Sequence, residues 1–205
     1  MKRAKELTRE KIIIAAIECT EKEGIHAVTV RDIAQQAKVN VAAINYYFGT
    51  KENLMAEMLR FTLYDTLAEN VEEIDQANQD PYVTIKAWFM DFLQGVIRFP
   101  NISKAHIYGP LVNNDYQGVF VEWLNDFSGR LVDKITEFKL SAVEKKDIKF
   151  AVAQMMSAVL FLGSMPNLFD KFLDFNFKNS PEKQEEYVDQ LLKYYLGNLR
   201  TSEKP

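Results

Sequence analysis

Thr29-Val30-Arg31-Asp32-Ile33-Ala34-Gln35-Gln36-Ala37-Lys38-Val39-Asn40-Val41-Ala42-Ala43-Ile44-Asn45-Tyr46-Tyr47-Phe48 is the stretch that decides the fold. Thr29 and Asp32 have the spacing of a capping box, in which a hydroxyl takes the third helical amide and a carboxylate reaches back. Behind them Val30, Ile33, Ala34 and Ala37 recur at i, i+3, i+4, i+7, one apolar face of a helix. Only Lys38, Val39 and Asn40 precede a second short helix over roughly 41–47. At about 100° per residue, Val41, Ile44 and Phe48 of that helix point inward. Ala42, Ala43 and Tyr46 point the other way, with Asn45 on the flank. A core helix would not turn two alanines and a phenol outward. A helix that reads a DNA groove would: small residues allow close approach, methyls meet thymine methyls, and Asn bonds adenine.

Outward from this stretch the signals stay helical. Upstream, Ile13, Ala16, Ile17 and Thr20 share one face of a bracing helix that Gly24 closes. Downstream, Thr50 caps a helix that the polarity extends to about Asp75. Asp80-Pro81 opens another, running to about Phe99 and ended by Pro100. Gly109-Pro110 predicts an interruption in a segment starting near Asn101, and Asp115 to Lys139 is a long amphipathic stretch. Ser141-Ala142-Val143-Glu144 reads as a second capping box, opening a helix to about Met165. Phe172 to Phe177 alternates like a short strand that pins the connection to the core, and Ser180-Pro181 starts a last helix to about Arg200. The predicted fold is all-α, about nine helices. Residues 1–50 are a three-helix helix-turn-helix domain packed on a larger helical domain, 51–205.

Composition narrows the function. The chain has 205 residues, 47% of them hydrophobic and 26% charged, with net charge −4, the profile of an ordinary globular protein. Residues 1–50 carry eight Lys/Arg against six acids, a net +2; the rest carries seventeen against twenty-three, a net −6. A basic head on an acidic body suits a front end that meets phosphate. The single cysteine, Cys19, excludes a disulfide framework and a cysteine zinc site and points to a reducing cytoplasm. No apolar run suggests a membrane span, and the N-terminal residues do not read as a signal peptide. His26 and His106 are far apart and no hydrolase, zincin or phosphate-loop motif is present, so an enzyme, a metal site or a cofactor is not expected.

Glu10 to Leu54, above all Thr29 to Ala34 and Ile44 to Leu54, resembles the DNA-binding domain of tetracycline-repressor (TetR) family regulators, over about a quarter of the chain. The resemblance implies that the third helix enters the major groove and that the following long helix leads to a ligand-binding body. It places Thr29, Val30 and Arg31 at the phosphate backbone; Asn40, Val41, Ala42, Ala43 and Asn45 at bases; and Tyr46 and Lys51 as phosphate clamps on the flank. Lys38 departs from the glycine of many relatives, which implies either a phosphate contact or an unusual backbone angle. Lys2, Arg3 and Lys5 are either solvated tail or an arm for the minor groove.

One head reaches one half-site, so a homodimer on a palindromic operator of double-stranded DNA is expected. The expected interface is the stripe Ala151, Met155, Ala158, Leu162 with Leu191 and Tyr195 of the last helix. A small, largely apolar effector is expected among Trp88, Phe92, Trp123 and Phe127, with His106 and Gln154 as polar groups. The resemblance thus implies a cytoplasmic, ligand-responsive transcriptional regulator, a repressor released by its inducer. The alternative is a DNA-binding protein of the same fold controlled by a protein partner or acting architecturally.

Overall fold

The computed structural model describes residues 2–66, 80–137 and 144–200. They contain ten α-helical segments and no strand. These are α1 (Lys2–Glu23), α2 (Val30–Ala37), α3 (Val41–Phe48) and α4 (Lys51–Phe61), the last passing into a π-helical turn at Thr62–Thr66. Then come α5 (Pro81–Arg98), α6 (Pro100–Asn113), α7 (Val119–Glu137), α8 (Lys145–Ser164), the single turn α9 (Asp170–Leu173) and α10 (Pro181–Arg200). The expected extension of the fourth helix to Asp75 ends outside the described residues.

Two compact units emerge, 1–68 with 99–123, and 69–98 with 124–205. In the first, α1 packs on α2, α4 and α6. Its core joins Ile12, Ile13 and Ala16 to Ile33, Ile44, Phe48, Leu54 and Met58, with Ile102 from α6. Of the predicted inner faces of the first two helices, Ile13, Ala16, Thr20, Ile33, Ala34 and Ala37 are buried, and Ile17 and Val30 are half-buried against the same core. Glu21, on α1, caps α6: its carboxylate accepts from the Asn101 and Ile102 amides, both at 3.1 Å, where the N-cap residue Phe99 offers no side-chain bond.

Three expectations for this region change. Pro100 does not merely end α5; it is the first residue of α6, where its missing N–H is harmless. Pro110 lies inside α6 rather than interrupting it: it forgoes its own bond to the preceding turn, and the helix runs on to Asn113 before Asn114 closes it in a left-handed conformation, φ 52°. Asp115 instead organises a turn, its carboxylate accepting from the Gln117 amide at 2.9 Å, and α7 begins at Val119.

In the second unit α5 packs on α8 and α10. Phe89, Leu93, Leu131, Met155, Val159 and Leu192 lie in its core. Gly163 is required by close approach: a Cβ there would lie 3.0 Å from Val96 Cγ1 and 3.3 Å from Leu93 Cδ1. The segment Phe172 to Phe177 is no strand. Asp170 accepts from the Phe177 amide at 3.1 Å and from Asn176 Nδ2 at 2.8 Å, folding the chain into a turn. That turn buries Phe177, so the segment does pin the connection to the core, and it leaves Phe172 82% exposed. Ser141 to Val143 lie outside the described residues; Glu144 is itself the N-cap of α8, not its third residue. Among the described residues α8 alone has the length and composition to cross a membrane, which the sequence reading missed. Its apolar side, including Val152, Met156 and Val159, is buried in this unit, as in a core helix.

Candidate nucleic-acid interface

Local chemistry fixes each helix around the turn. The Asp32 amide donates to the Thr29 hydroxyl at 3.3 Å, and the Thr29 amide and hydroxyl both donate to Asp32 Oδ2, at 2.8 and 2.6 Å. These bonds hold the Asp32 carboxyl below its ordinary range. Lys38 ends α2 with φ 54° and ψ 44°, so the departure from glycine takes the form of a left-handed backbone. Asn40 Oδ1 accepts from the Ala43 amide at 2.7 Å and starts α3. That acceptor is thereby committed, and the side-chain NH2 is what Asn40 has left to donate. Gly49 closes α3 at φ 75°, and Thr50 caps α4 by accepting from the Asn53 amide at 3.2 Å.

The face of α3 follows. Ile44 and Phe48 are buried, Tyr47 is half-buried, and Ala42, Asn45 and Tyr46 are exposed, Tyr46 by 67%. Ala43 is half-buried. Val41 is 37% exposed rather than turned inward: it is the first helical residue, with no preceding turn to cover it. Exposed Arg31 lies in the first turn of α2 and half-buried Lys51 is the first residue of α4. The helices thus bring three capped N-termini, a lysine, an arginine and a small-residue face into the same unit. Capped helix N-termini with basic side chains have the chemistry to hold a polyanion, and small exposed residues admit close approach.

Elsewhere the expected groupings regroup. Trp88, Phe92 and Phe127 pack together in the second unit, ring centroids 5.8 and 6.4 Å apart. His106 and Trp123 belong to the first unit and flank Phe120 at 5.8 and 6.4 Å. Gln154 is exposed on α8. His106 lies beside the π turn, its Nε2 2.9 Å from the Thr62 hydroxyl, which itself donates to the Leu59 carbonyl at 2.8 Å. Nε2 must therefore carry the proton, and Nδ1 is buried without a partner among the described residues. Burial lowers the imidazole pKa to about 4. Burial likewise pushes the Cys19 thiol up, which makes it a poor nucleophile.

A groove of about 600 Å³ between α7 and α8 went unread in the sequence. It is lined from both helices, by Ser128 and Gly129 of α7 and Ala153 and Ser157 of α8 among others, and no single stretch of sequence reveals it. The expected dimer stripe also changes. Ala151, Met155 and Leu162 are buried within their own subunit, and Ala158, Leu191 and Tyr195 are half-buried. The apolar residues that α8 leaves outward are Phe150, 58% exposed, and Phe161, 49%.

Residues 12–58 match the sequence model of the bacterial regulatory proteins of the tetR family. The HTH-type transcriptional regulator BetI of Burkholderia ambifaria is 26% identical over 83 residues, 40% of this chain and 43% of BetI. The chain thus spans less than half the length of the curated relatives it matches. A solved protein of Mesorhizobium loti assigned to the TetR family shares the fold over 95% of this chain and 97% of its own, with TM-score 0.74 and 12% identity. The transcriptional regulator FadR of Bacillus subtilis, solved with stearoyl-CoA, covers 87% of this chain and 96% of its own, at TM-score 0.60 and 18% identity. The matched family and BetI are regulators, not enzymes.

Proposed function

We propose that this chain is a member of the tetR family of bacterial regulators, whose sequence model its residues 12–58 match, and a ligand-responsive transcriptional repressor. It binds a palindromic operator as a homodimer in the cytoplasm and is released by a small, largely apolar inducer. Residues 1–50 read DNA and residues 51–205 sense and dimerise, a division of roles that need not coincide with the packing units. The observation that carries this reading is the outer face of α3: Ala42, Asn45 and Tyr46 stand exposed while Ile44 and Phe48 anchor the helix.

Thr29, Val30, Arg31 and Lys51 hold phosphates beside the capped N-termini of α2 and α4. Asn40, Val41, Ala42, Ala43 and Asn45 approach base edges, and Tyr46 clamps the flank. Few of these groups form paired hydrogen bonds to a base, so much of the specificity comes from DNA shape. Two heads must sit about 34–36 Å apart, or a multiple, to reach successive half-sites. The outward residues Phe150 and Phe161 of α8, with Tyr194 of α10, supply apolar surface for the partner copy. An inducer acts only by favouring the spacing that does not fit DNA; equal affinity for both spacings shifts nothing.

The test is fluorescence anisotropy on duplexes selected from a random pool, followed by a small-molecule library. The reading expects binding that weakens steeply with salt and at least one compound that releases the duplex. No duplex binding refutes the DNA role. Binding that no compound alters refutes the sensing role.

A further inference from the structure

We infer that Lys5 and Tyr46 together form a two-donor site for one backbone phosphate of the duplex, so that the DNA surface extends onto the first helix. This rests on the proposed DNA-binding role and adds to it a residue from outside the helix-turn-helix. α1 is helical from Lys2, so the basic start of the chain is not an extended arm there. From the exposed side of α1 the Lys5 ammonium donates to the Tyr46 phenol oxygen at 2.9 Å and lies 5.4 Å from its ring centroid.

The bonding arithmetic points to an anion. The phenol oxygen accepts from Lys5, so its own O–H is left to donate outward. The ammonium has three donors and spends one on the phenol. Among the described residues its hydrogen-bond partner is thus a neutral group, and the positive charge stays uncompensated. Arg9 behaves differently: it pairs with the Glu57 carboxylate and covers the Phe48 ring, centroid 5.5 Å away, so its charge serves the fold. The Lys5 contact holds the lysine above, and the phenol below, their ordinary pKa ranges, so the lysine stays charged. A phosphate oxygen accepts from both groups, and the site lies on the residue next to Asn45, at the flank of the proposed reading face.

The experiment measures anisotropy of a selected duplex and of a scrambled one between about 50 and 200 mM salt. Wild type, Lys5→Gln, Lys5→Arg and Tyr46→Phe are compared, with circular dichroism checking the fold of each. Lys5→Gln should make the slope of log K against log salt shallower by about 0.9 for each copy engaged, equally on both duplexes. Lys5→Arg should restore it. Tyr46→Phe should weaken both duplexes while keeping the slope, because the ammonium remains. A wild-type slope that Lys5→Gln leaves unchanged overturns the phosphate site and spares the DNA-binding role. A wild type that binds neither duplex overturns both.

Discussion

Replacing Glu21 by alanine removes a carboxylate that caps a helix on another part of its unit. Its oxygens accept from the Asn101 amide at 3.1 and 3.4 Å and from the Ile102 amide at 3.1 Å. A side-chain cap contributes about 0.5–2 kcal/mol, and hydrogen bonds to a charged group about 1.5–3. Glu21 is half-buried, so water recovers part of this when the carboxylate is lost. The expected destabilisation is about 1–2 kcal/mol. In a chain of this length that lowers Tm by about 2–8 °C. Glu21→Gln keeps one acceptor oxygen and should lose about half as much. The bond from Asn101 Nδ2 to the Glu21 carbonyl, 2.8 Å, survives in both and sets the floor. Thermal melts followed by circular dichroism at neutral pH measure the difference. A shift of less than about 1 °C for Glu21→Ala would mean that water satisfies the α6 amides and that the cap does not join α1 to α6.

The His106 imidazole, lowered from 6.5 to about 4 by burial, makes stability depend on pH. The unfolded chain binds the proton more readily, so its contribution is complete above about 6.5 and is lost as pH falls toward 4, up to about 3 kcal/mol. Equal urea stability at pH 4.5 and 7 would contradict this burial. Gly163→Ala gains about 1 kcal/mol of helix propensity but forces its methyl to 3.0 Å from Val96 Cγ1, an overpacking cost of about 1–3. Urea denaturation should show a net loss, and a stabilised variant would refute the close approach. Phe161→Glu places a charge on the outward face of α8 and should weaken the proposed dimer by at least about tenfold. Sedimentation velocity checks it, and an unchanged dimer would remove that face from the interface.

What was legible in the sequence was what neighbouring residues settle. Thr29, Asn40 and Thr50 each cap a helix within four residues, and the i, i+3, i+4 faces of α1 and α2 need no distant partner to be recognised. The burial of Ile44 and Phe48 against the exposure of Tyr46 follows from helical phase alone. Val41 escaped that reading because phase says nothing about a missing preceding turn. Pro110 escaped because a local breaking rule treats one lost hydrogen bond as a stop, whereas the helix continues past it to Asn113. The body was harder. α8 is apolar nearly all round, so its pattern could not say which stripe packs on its own chain: Met155, expected at the partner, is buried, and Phe161 is exposed. The effector residues followed a composition signal, whereas Trp88 and Phe127 belong to one packing unit and His106 to the other. The groove between α7 and α8 is lined from two helices, information no single window contains.

The central claim is that the outer face of α3 lies against nucleobases. The most direct measurement compares wild type and Asn45→Ala on every single-base variant of the selected duplex, at one salt concentration. The account predicts that the wild type selects a two-fold symmetric sequence and that Asn45→Ala relaxes discrimination at one position in each half-site by about 1–3 kcal/mol. A wild type that enriches no sequence, or an Asn45→Ala variant that weakens every duplex by the same factor, would contradict it.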